Sequence, residues 1–465
     1  MTRHRGAAAA VLAVSAPLLT VGVVLTFPGT PRPVTPPAAD GARVVPVTRT
    51  LLGCAPLTAP GGTKARTVVG LAPGGRSGGR TVVTVPGAPP RPVHLERGHL
   101  AGLSVPGPSA ADVLASGRSA PGVFAARTGA GAGALAVAAC PGPRAEWWFT
   151  GAGASLDHRS VLRLRNVDSS PAVVDLDVLG AHGSVDIART RGLTLLPGRT
   201  RTVPLVAVAP RSTELGLHVT ASRGRVVASV ADVVRSGGHT GREELPPAAP
   251  PGRDLVLAGI PATAGRRTLV VLNPGDRQAL VSLRVVTSEG AFVPRGLEEL
   301  SLAPGESRTV DLTAAVGHLP ASVRVRSDVD VTATVRSTLA EDEGDAVPAL
   351  PLSGTAVVTT AGGRTTLQLV GRTGAVTLRW EAYSPAGQRV GGSGVVAPAS
   401  GLVQWTVPAS AAYVVLTPKS GEAYVAAVHT GGGLAVERPL ELPTSVRRPV
   451  VRPYAGDRQS SGSGS

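Results

Sequence analysis

Two stretches of the sequence repeat one pattern at a constant offset. The chain's only two asparagines, Asn166 and Asn273, are 107 positions apart. The same offset relates Gly183 to Gly290, Pro197-Gly198 to Pro304-Gly305, and Arg201-Thr202-Val203 to Arg308-Thr309-Val310. A solenoid repeat is only about 20–50 residues long, whereas an immunoglobulin-type β-sandwich has about 100. The sequence therefore predicts an array of similar β domains.

The composition supports the same fold class. A chain of 465 residues is long enough for about three or four domains. Its 59 glycines, 42 prolines and 3% aromatic residues favour short strands joined by turns over helices. A hydrophobic content of 43% is too high for general disorder. We predict an all-β protein of tandem immunoglobulin-like or fibronectin-type β-sandwich domains behind one N-terminal transmembrane helix.

The helix is predicted from the N-terminus. The basic residues Arg3–Arg5 precede an uncharged, apolar run that continues to about Phe27, which is the pattern of an export signal. About 20 residues also suffice to cross a bilayer. Because a cleavage pattern is weak, with Ala38-Ala39 as the best candidate, we predict a signal-anchor over 1–27. The protein would be single-pass in the cell membrane, with extracytoplasmic domains. The alternative is cleavage and secretion.

Composition shifts give the boundaries of the remaining segments. Residues 28–41 are Pro-rich and predict a stiff linker. An N-terminal β domain (42–143), two β-sandwich repeats (144–244 and 245–345), a degenerate third repeat (346–442) and a disordered tail (443–465) follow. The second repeat ends in the acidic segment Glu341–Asp345, which predicts a solvated linker. A calcium site is the alternative, because carboxylates cluster there.

One short helix is predicted in the N-terminal domain. Ser109 followed by Ala110, Ala111 and Asp112 resembles a helix N-cap with an acidic first turn. The pattern predicts a helical turn near Ser109–Ser116.

The two cysteines predict a disulfide. Cys54 and Cys140 both follow the predicted membrane segment, and an even pair in an exported protein is most simply a bridge. A closed loop of this size would contribute about 4 kcal/mol on the loop-entropy account. Two isolated thiols without clustered histidines do not make a tetrahedral metal site. We therefore predict neither a metal nor another cofactor.

Trp147-Trp148-Phe149 is the one aromatic cluster in a chain with few aromatic residues. Neighbouring residues of a strand point to opposite faces. We therefore expect one ring in a sandwich core and another at the junction with the first domain. The alternative is an exposed platform for a sugar ring or a partner protein, which makes Trp147 and Trp148 candidate binding residues.

The formal net charge is +15, and nearly all of the positive charge is arginine, since only Lys64 and Lys419 are lysines. A biased genome explains this composition. The functional alternative is attraction to polyanions, such as an anionic wall polymer or lipid headgroups. Nucleic acid is not a predicted partner, because the arginines are dispersed and no aromatic-studded basic motif accompanies them.

Catalytic motifs are weak. Gly75–Gly79 matches the nucleophile pattern Gly-x-Ser-x-Gly, but it lies between two predicted strands instead of a strand and a helix. The adjacent Glu243 and Glu244 would point to opposite faces of a strand, which is poor geometry for acid–base chemistry. We predict that the protein is not an enzyme. A hydrolase whose site is assembled from distant residues is the remaining alternative.

The paired asparagines have a structural interpretation. Each is predicted to end a strand and open a turn, in Asn166-Val167-Asp168 and in Asn273-Pro274-Gly275. An asparagine side chain can bond the local backbone at such a turn. We expect both to be structural residues.

Several of these features occur together in one known family. Cys140-Pro141, then Glu146–Gly151 (Glu-Trp-Trp-Phe-Thr-Gly) and Leu162–Asp168, behind an arginine-led membrane segment, resemble an actinobacterial family of exported proteins classed as a domain of unknown function (DUF5719). The resemblance implies an envelope location and brings no catalytic residues. The sequence thus favours a non-enzymatic, membrane-anchored envelope protein, a scaffold or accessory subunit for a membrane or glycan-assembly partner. The alternative is a module that binds a cell-wall polymer or glycan.

Overall fold

A computed structural model describes residues 43–57, 65–106, 109–131, 133–181, 183–185, 190–236, 239–262, 265–340, 342–442 and 444–448. The predicted signal-anchor at 1–27 and the linker at 28–41 lie outside these residues. In the described part of the chain, no helix is long and apolar enough to cross a membrane. Nearly all regular structure there is β-strand, with one short α-helix, α1 (Thr313–Val316). The predicted all-β class is confirmed.

The strands form four groups, which we call domains 1 to 4. After β1 (Arg43–Pro46), domain 1 contains β2 (Arg49–Cys54), β3 (Arg66–Leu71), β4 (Arg80–Thr84), β5 (Arg91–Val93), β6 (Leu100–Ser104), β7 (Ala111–Ser116), β8 (Val123–Gly131) and β9 (Ala134–Ala139). Domain 2 contains β10 (Glu146–Ala152), β11 (His158–Arg165), β12 (Ala172–Gly180), β13 (Gly183–Val185), β14 (Leu193–Leu195), β15 (Thr200–Pro204), β16 (Leu215–Arg223), β17 (Val227–Ser236) and β18 (His239–Leu245).

The second half of the chain is built in the same way. Domain 3 contains β19 (Gly252–Ile260), β20 (Arg267–Leu272), β21 (Ala279–Thr287), β22 (Gly290–Phe292), β23 (Leu300–Leu302), β24 (Ser307–Asp311), β25 (Ala321–Leu339) and β26 (Asp342–Ala346). Domain 4 contains β27 (Ala356–Thr359), β28 (Arg364–Gly371), β29 (Val376–Tyr383), β30 (Arg389–Ala397), β31 (Leu402–Thr406), β32 (Tyr413–Ser420), β33 (Ala423–Thr430), β34 (Leu434–Glu437) and β35 (Leu440–Glu441).

The last strand, β36 (Ser445–Arg448), pairs with β1 in a two-stranded sheet. These residues fall inside the segment predicted as a disordered tail from 443 onward. Part of that segment is therefore ordered, because its backbone has a strand partner near the other end of the chain.

All four domains share one topology. Their first sheets have the orders β2-β7-β4-β5, β10-β16-β12-β13, β19-β25-β21-β22 and β27-β32-β29-β30. Their second sheets have the orders β6-β3-β8-β9, β15-β11-β17-β18, β24-β20-β25-β26 and β31-β28-β33-β34. In domain 3 the long strand β25 belongs to both sheets, because its first half pairs with β19 and β21 and its second half with β20 and β26. The described strand pairs within the domains are antiparallel.

Alternating side chains explain how each pair of sheets packs. Along β12 and β21, buried residues alternate with accessible ones over the first six positions, which is the pattern of a strand with one face on a core. In domain 2, Leu162 and Leu164 of β11 share one buried cluster with Val174 and Leu176 of β12. Each domain has its own cluster of this kind between its two sheets.

The paired asparagines make equivalent bonds. The Asn166 side-chain amide donates to the backbone carbonyls of Ser170 at 2.8 Å and Leu195 at 2.9 Å. The Asn273 amide donates to Arg277 at 2.7 Å and to Ala303 at 3.0 Å. Both asparagines are fully buried. Each therefore fastens a turn to a neighbouring segment, as the structural interpretation expects.

Domain 1 contains the predicted disulfide. Cys54 and Cys140 are bonded across a sequence separation of 86 residues, and both sulfurs lie in the core of the domain. The predicted helical turn near Ser109–Ser116 is wrong, since Ala111–Ser116 is strand β7. Ala111, Val113 and Ala115 are buried on one face, and this period of two outweighs the local capping pattern.

The four domains form a closed ring within the compact unit Pro46–Ser445. The final strand of each second sheet contacts two others, so that β9 touches β18, β18 touches β26, β26 touches β34, and β34 touches β9. Domain 1 thereby meets domain 4. Head-to-tail contacts close into a ring when the rotation between successive copies permits it.

The same faces are used at every junction of the ring. The second sheet of each domain packs on the first sheet of the preceding one, and that of domain 1 packs on domain 4. The contacts include Arg165 on Asp112, Leu272 on Trp148, Tyr424 on Val256, and Phe124 on Tyr413. The four junctions are therefore equivalent in geometry but not in chemistry.

Candidate functional site

Asp342 lies where the four innermost strands of the ring meet. Its carboxylate accepts backbone N–H hydrogen bonds from Leu135 of domain 1 and Leu434 of domain 4, both at 2.8 Å, and from Arg242 of domain 2 at 3.3 Å. The residue is fully buried. Burial raises the pKa of Asp342, and the backbone N–H groups oppose that shift. One side chain of domain 3 thus bonds to each of the other three domains.

A close approach of the backbone makes this junction possible. Gly433 has a φ of +145°, and a Cβ at this position would lie 2.3 Å from the Leu135 nitrogen and 2.4 Å from an Asp342 carboxylate oxygen. Glycine is the residue that tolerates both this conformation and this crowding. The Gly-rich turn before β34 is therefore required by the junction.

The acidic segment at the end of domain 3 is not a solvated linker. Asp342–Ala346 forms strand β26, in which Asp342 and Asp345 are almost completely buried. The prediction was wrong because carboxylates are normally solvated unless a cation or N–H groups compensate them, and the compensating groups come from distant parts of the chain. Within the described ranges, no group of three or more His, Cys, Asp or Glu residues could hold a metal ion.

The main compensating cation is Arg336 of β25. Its guanidinium lies 3.1 Å from Asp345, 3.4 Å from Glu343 and 3.5 Å from Asp232 of domain 2. It also donates to the Gly151 carbonyl of domain 2. We call Asp232, Arg336, Glu343 and Asp345 the charged seam, because they join domains 2 and 3.

Carboxylates outnumber the guanidinium in this seam, and burial disfavours their charged forms. Burial raises the pKa of Glu343 to about 7, although Arg336 opposes the shift. Burial also raises the pKa of Asp345, again against Arg336. Burial would lower the pKa of Arg336, but Asp345 and Asp232 raise it well above its usual value. Arg336 is therefore charged at every relevant pH.

Ser160, His158 and Asp232 lie together beside the charged seam, but they are not arranged as a catalytic triad. The Ser160 hydroxyl donates to the Asp232 carboxylate, not to the imidazole, and accepts the Gly153 N–H at 2.7 Å. In a triad, the base must bond the nucleophile and the carboxylate must bond the base. Here the carboxylate takes both bonds, and all three side chains are buried.

The surroundings of His158 favour its protonated, imidazolium form. Its Nδ1 lies 2.8 Å from the Thr213 carbonyl and its Nε2 lies 3.0 Å from Asp232. Both partners are acceptors, so both ring nitrogens must carry hydrogen. Burial would lower the pKa of His158, but the hydrogen bond and the charge of Asp232 raise it above its usual value. This cluster therefore supplies a second cation to the buried carboxylates.

A cavity of about 290 Å³ lies between domains 1, 2 and 4 and the segments that connect domains 2 to 3 and 3 to 4. Proline residues form much of its wall. Its polar lining includes Arg144, Glu244, Glu437, Arg438 and Glu441. A volume near 300 Å³ is at the lower end for small-molecule sites. We call this space the central cavity.

The two arginines of the central cavity come from different domains. Burial lowers the pKa of Arg438 to about 10, and the neighbouring charge of Arg144 adds to the shift. Arg438 donates to the Pro247 carbonyl at 3.0 Å, and the Arg144 guanidinium lies 5.1 Å from the centre of the Trp147 ring. Both arginines stay charged at neutral pH. Sequence reasoning missed them because no motif surrounds either one.

Trp147 and Trp148 occupy opposite faces of β10, as expected for strand neighbours. Trp147 belongs to the core of domain 2, lines the central cavity, and donates from its indole nitrogen to the Val226 carbonyl at 2.9 Å. Trp148 stacks on His218 with 3.9 Å between ring centres. The relative exposures are 2% for Trp147 and 8% for Trp148, so neither ring forms a platform on the outer surface.

The predicted position of the second ring is wrong in one respect. Trp148 packs with Leu272 of domain 3 and Ala248 of the connecting segment, not with domain 1. The face of β10 opposite the core lies at the junction between domains 2 and 3. Which domain covers that face depends on the arrangement of the domains in space.

Residues 100–408 match a family described as a family of unknown function, DUF5719. The chain belongs to this family. The matched segment includes parts of all four domains. No curated protein matches the chain.

Similarity to solved structures is weak. An α-L-rhamnosidase of Streptomyces avermitilis is 10% identical with a TM-score of 0.13, over 85% of this chain and 57% of the rhamnosidase. The chain thus spans little more than half of that enzyme. BcpA, the major pilin subunit of Bacillus cereus, is 12% identical with a TM-score of 0.13, over 65% of this chain and 95% of the pilin. TM-scores this low carry no argument about function.

Proposed function

We propose that this DUF5719 protein is a non-enzymatic scaffold or accessory subunit of the cell envelope, for a membrane or glycan-assembly partner. The observation that carries the proposal is the closure of the ring at Asp342, whose carboxylate bonds to domains 1, 2 and 4. A closed arrangement of four domains presents its outer strands at fixed mutual positions. Fixed presentation of surfaces is what a scaffold requires.

The proposed location is the outer face of the cell membrane, with residues 1–27 as a single-pass anchor. The Cys54–Cys140 disulfide supports this location, because disulfides persist in oxidising compartments outside the cytoplasm. Cleavage of the N-terminal segment and secretion is the alternative. A tag at the N-terminus would stay on the membrane-bound protein if the segment is an anchor and would be absent from the exported protein if the segment is cleaved.

We further propose that the domains are immunoglobulin-like sandwiches in a rearranged form. In that fold, counted in chain order, the sheets have the orders 1-2-5-4 and 3-6-7. In domain 2 the second strand, β11, pairs with the strand before β16, and the third, β12, pairs with β16, as the fold requires. The first strand, β10, and the strand after β16, β17, have exchanged sheets. A solved structure would test this assignment.

Crosslinking and affinity capture from native membranes would test the scaffold. We expect the wild-type protein to recover a specific membrane or glycan-assembly protein. Asp342→Ala should recover less at equal abundance, because it loosens the ring. Asp330→Ala is the matched control in the same domain, since Asp330 is 63% exposed. If wild type and control recover no specific protein, the scaffold proposal fails.

The alternative function is binding of a cell-wall polymer or glycan. It is favoured by the two arginines in the central cavity and by the net charge of +15. Sedimentation with purified anionic wall polymer would test it, with the protein bound at low salt and released as salt screens the charges. Binding that does not depend on salt would argue against this electrostatic mode.

A further inference from the structure

The outer edge of the first sheet differs in length among the four domains. It is formed by β5, β13 and β22 in domains 1 to 3, each of 3 residues, and by β30 in domain 4, which has 9. β30 pairs with β29 and, among the described strands, with no other. A bulge interrupts this pairing at Val390, and residues 391–397 continue in unbroken register. Domain 4 therefore presents an open strand edge roughly 23 Å long.

β30 lacks the features that usually protect an exposed edge. Short length, proline and charged side chains discourage a second chain from adding to a sheet, and β5 combines all three in Arg91-Pro92-Val93. In β30, residues 390–397 contain neither proline nor a charged side chain, and Val396 is 59% exposed. The backbone groups along this edge are therefore available to an extended segment.

Gly394 opens the outer face of the sheet beside this edge. Leu378 and Trp380 of β29 belong to the core of domain 4, so Arg379 between them points outward, opposite Gly394 of β30. A Cβ at Gly394 would have no atom within 4 Å. A glycine within a strand often marks a place where another chain approaches closely. A strand added to β30 would lie about 10 Å from β29, and a side chain on it could reach over Gly394 toward Arg379.

This face is positively charged. An open hollow of about 330 Å³ lies over it, and the described lining contains three cations and no carboxylate: Arg379, Arg389 and Lys419. Beside the hollow, Glu381 lies 2.8 Å from Arg379 and 3.5 Å from Arg389. Lys419 is exposed. One carboxylate therefore faces three cations, and the surplus attracts acidic groups.

We propose that β30 is a docking edge for an extended segment of a partner protein that carries acidic side chains at alternate positions. Main-chain hydrogen bonds add the segment to the sheet, and its acidic side chains lie over Gly394 toward the three cations. A second copy of this chain is disfavoured, because antiparallel pairing of two β30 strands would bring the same cations together on one face. This inference rests on the scaffold function and names the chemistry of its partner.

Fluorescence polarisation with labelled peptides and the full chain in detergent would test the edge. The acidic probe is the capped heptapeptide Thr-Glu-Thr-Glu-Thr-Glu-Thr, and Thr-Lys-Thr-Lys-Thr-Lys-Thr is its charge-reversed control. We expect the acidic peptide to bind at least tenfold more tightly, and the difference to shrink as salt screens the charges. Equal affinities would overturn the proposed partner chemistry.

Substitutions of the cations locate the binding. Arg379→Gln and Lys419→Gln should each weaken the acidic peptide at least threefold. Arg201→Gln, at an exposed position of edge strand β15, is the matched control and should leave the affinity unchanged. If all three variants weaken the peptide equally, the attraction belongs to a basic protein in general, and the docking edge is wrong.

Proline substitutions test the backbone pairing. Neighbouring residues of a strand direct their N–H groups to opposite edges, so one of Ser393→Pro and Gly394→Pro removes a bond to β29 and the other an outward N–H. The variant that keeps the wild-type melting temperature has lost the outward N–H, and it should bind the peptide at least tenfold more weakly. Wild-type affinity in that variant would overturn strand addition. If neither proline variant folds, Gly394→Glu decides, since its side chain enters open space and should repel the acidic peptide.

Gly394→Glu also separates this inference from the scaffold proposal. If capture from native membranes is unchanged in Gly394→Glu and reduced in Asp342→Ala, β30 is not the docking edge and the scaffold proposal stands. If light scattering shows a dimer of the full chain that Gly394→Glu dissociates, the edge pairs with a second copy and the acidic partner is wrong.

Discussion

Two junctions of the ring connect domains of the same topology through opposite chemistries. Domains 2 and 3 meet through the charged seam. Domains 4 and 1 meet through Tyr413, whose ring centre lies 5.0 Å from that of Phe124 and 5.3 Å from that of Tyr383. We call these three residues the aromatic seam. The Tyr413 hydroxyl also donates to the Gly98 carbonyl.

The contrast extends to single positions of the repeat. The side chains that face the equivalent residues Thr67, Ser160, Arg267 and Thr365 across the second sheets are Arg127, Asp232, Ser337 and His429. All four are buried. Arg127 donates to carbonyls of its own domain, such as Ala55 at 2.8 Å and Ser109 at 2.7 Å. Of these four side chains, Asp232 is the one whose described ion pairs reach another domain, at Arg336 of β25.

The difference teaches that geometry alone does not fix how a junction is stabilised. A paired buried charge adds little net stability, but loss of one partner is costly. An aromatic contact adds stability through buried area and does not depend on protonation. We therefore expect the charged seam to be the junction that is sensitive to pH and to single substitutions.

Replacing the cation of the charged seam should have the largest effect. Arg336→Met leaves Asp232, Glu343 and Asp345 without their guanidinium, and we expect a loss of about 3–5 kcal/mol in the free energy of unfolding. Urea unfolding measures it, and hydrogen exchange should show the greatest loss of protection in β26. Arg326→Met is the control, because Arg326 is 57% exposed. If Arg336→Met and Arg326→Met are equally stable, the charged seam is not especially sensitive to substitution, and the expectation is wrong.

Truncating the aromatic seam should have the next largest effect. Tyr413 is fully buried, and Tyr413→Ala should cost about 3–4 kcal/mol through lost burial and a cavity. The loss of hydrogen-exchange protection should appear in β8 and β32 and spare β26. Leu156→Ala, at a residue that is 79% exposed, is the control. Protection lost equally at both seams would show that the ring opens as one unit.

Changing the pH should affect the charged seam and its neighbours His158 and Glu214, and leave the aromatic seam unchanged. The pKa of Glu343 is about 7 in the folded protein against an ordinary value of 4.5, so the folded state holds the proton more tightly between those values. Stability should fall by roughly 2–3 kcal/mol as pH rises from 4.5 to 7, and then level off. The raised pKa of His158 acts in the same direction, since its stabilising charge is lost as pH rises.

Glu343→Gln should reduce this dependence, because the amide does not titrate; the remainder comes from groups such as Glu214, whose pKa burial also raises to about 7. Melting temperatures at pH 5 and pH 8 measure the change, with Glu289→Gln at an exposed position of domain 3 as the control. The aromatic-seam variant Tyr413→Ala should keep the wild-type difference between the two pH values. If Glu343→Gln shows the same difference in melting temperature between pH 5 and pH 8 as the wild type, other groups control the pH dependence.

Removing one hydroxyl should have the smallest effect. Tyr413→Phe keeps the ring contacts and loses the bond to the Gly98 carbonyl. We expect a cost of about 1 kcal/mol, the usual net value of one hydrogen bond plus its unsatisfied partner. If Tyr413→Phe and Tyr413→Ala lose the same free energy of unfolding, the hydrogen bond and not the ring stabilises the aromatic seam.

Local patterns predicted much of this molecule. The 107-residue offset of Asn166 and Asn273 and the alternation in strands such as β21 predicted an all-β chain. The two cysteines predicted their bond. These features can be predicted from the sequence because each depends on interactions within one strand, one turn or one pair of residues. Domains 1 and 4 resemble domains 2 and 3 in the order of strands within each sheet. Amino-acid composition carries no information about that order.

The tertiary structure decided what the charged residues do. The segment Glu341–Asp345 looked solvated because its sequence neighbours offer no compensation, yet Asp342 is bonded by backbone groups more than 90 positions away in both directions. Arg144 and Arg438 are nearly 300 positions apart and line one cavity. A local pattern predicts burial from hydrophobicity, whereas a buried charge depends on partners that only the closed ring brings near. The β domains follow from local patterns in the sequence, whereas the seams and the cavity follow from closure of the ring.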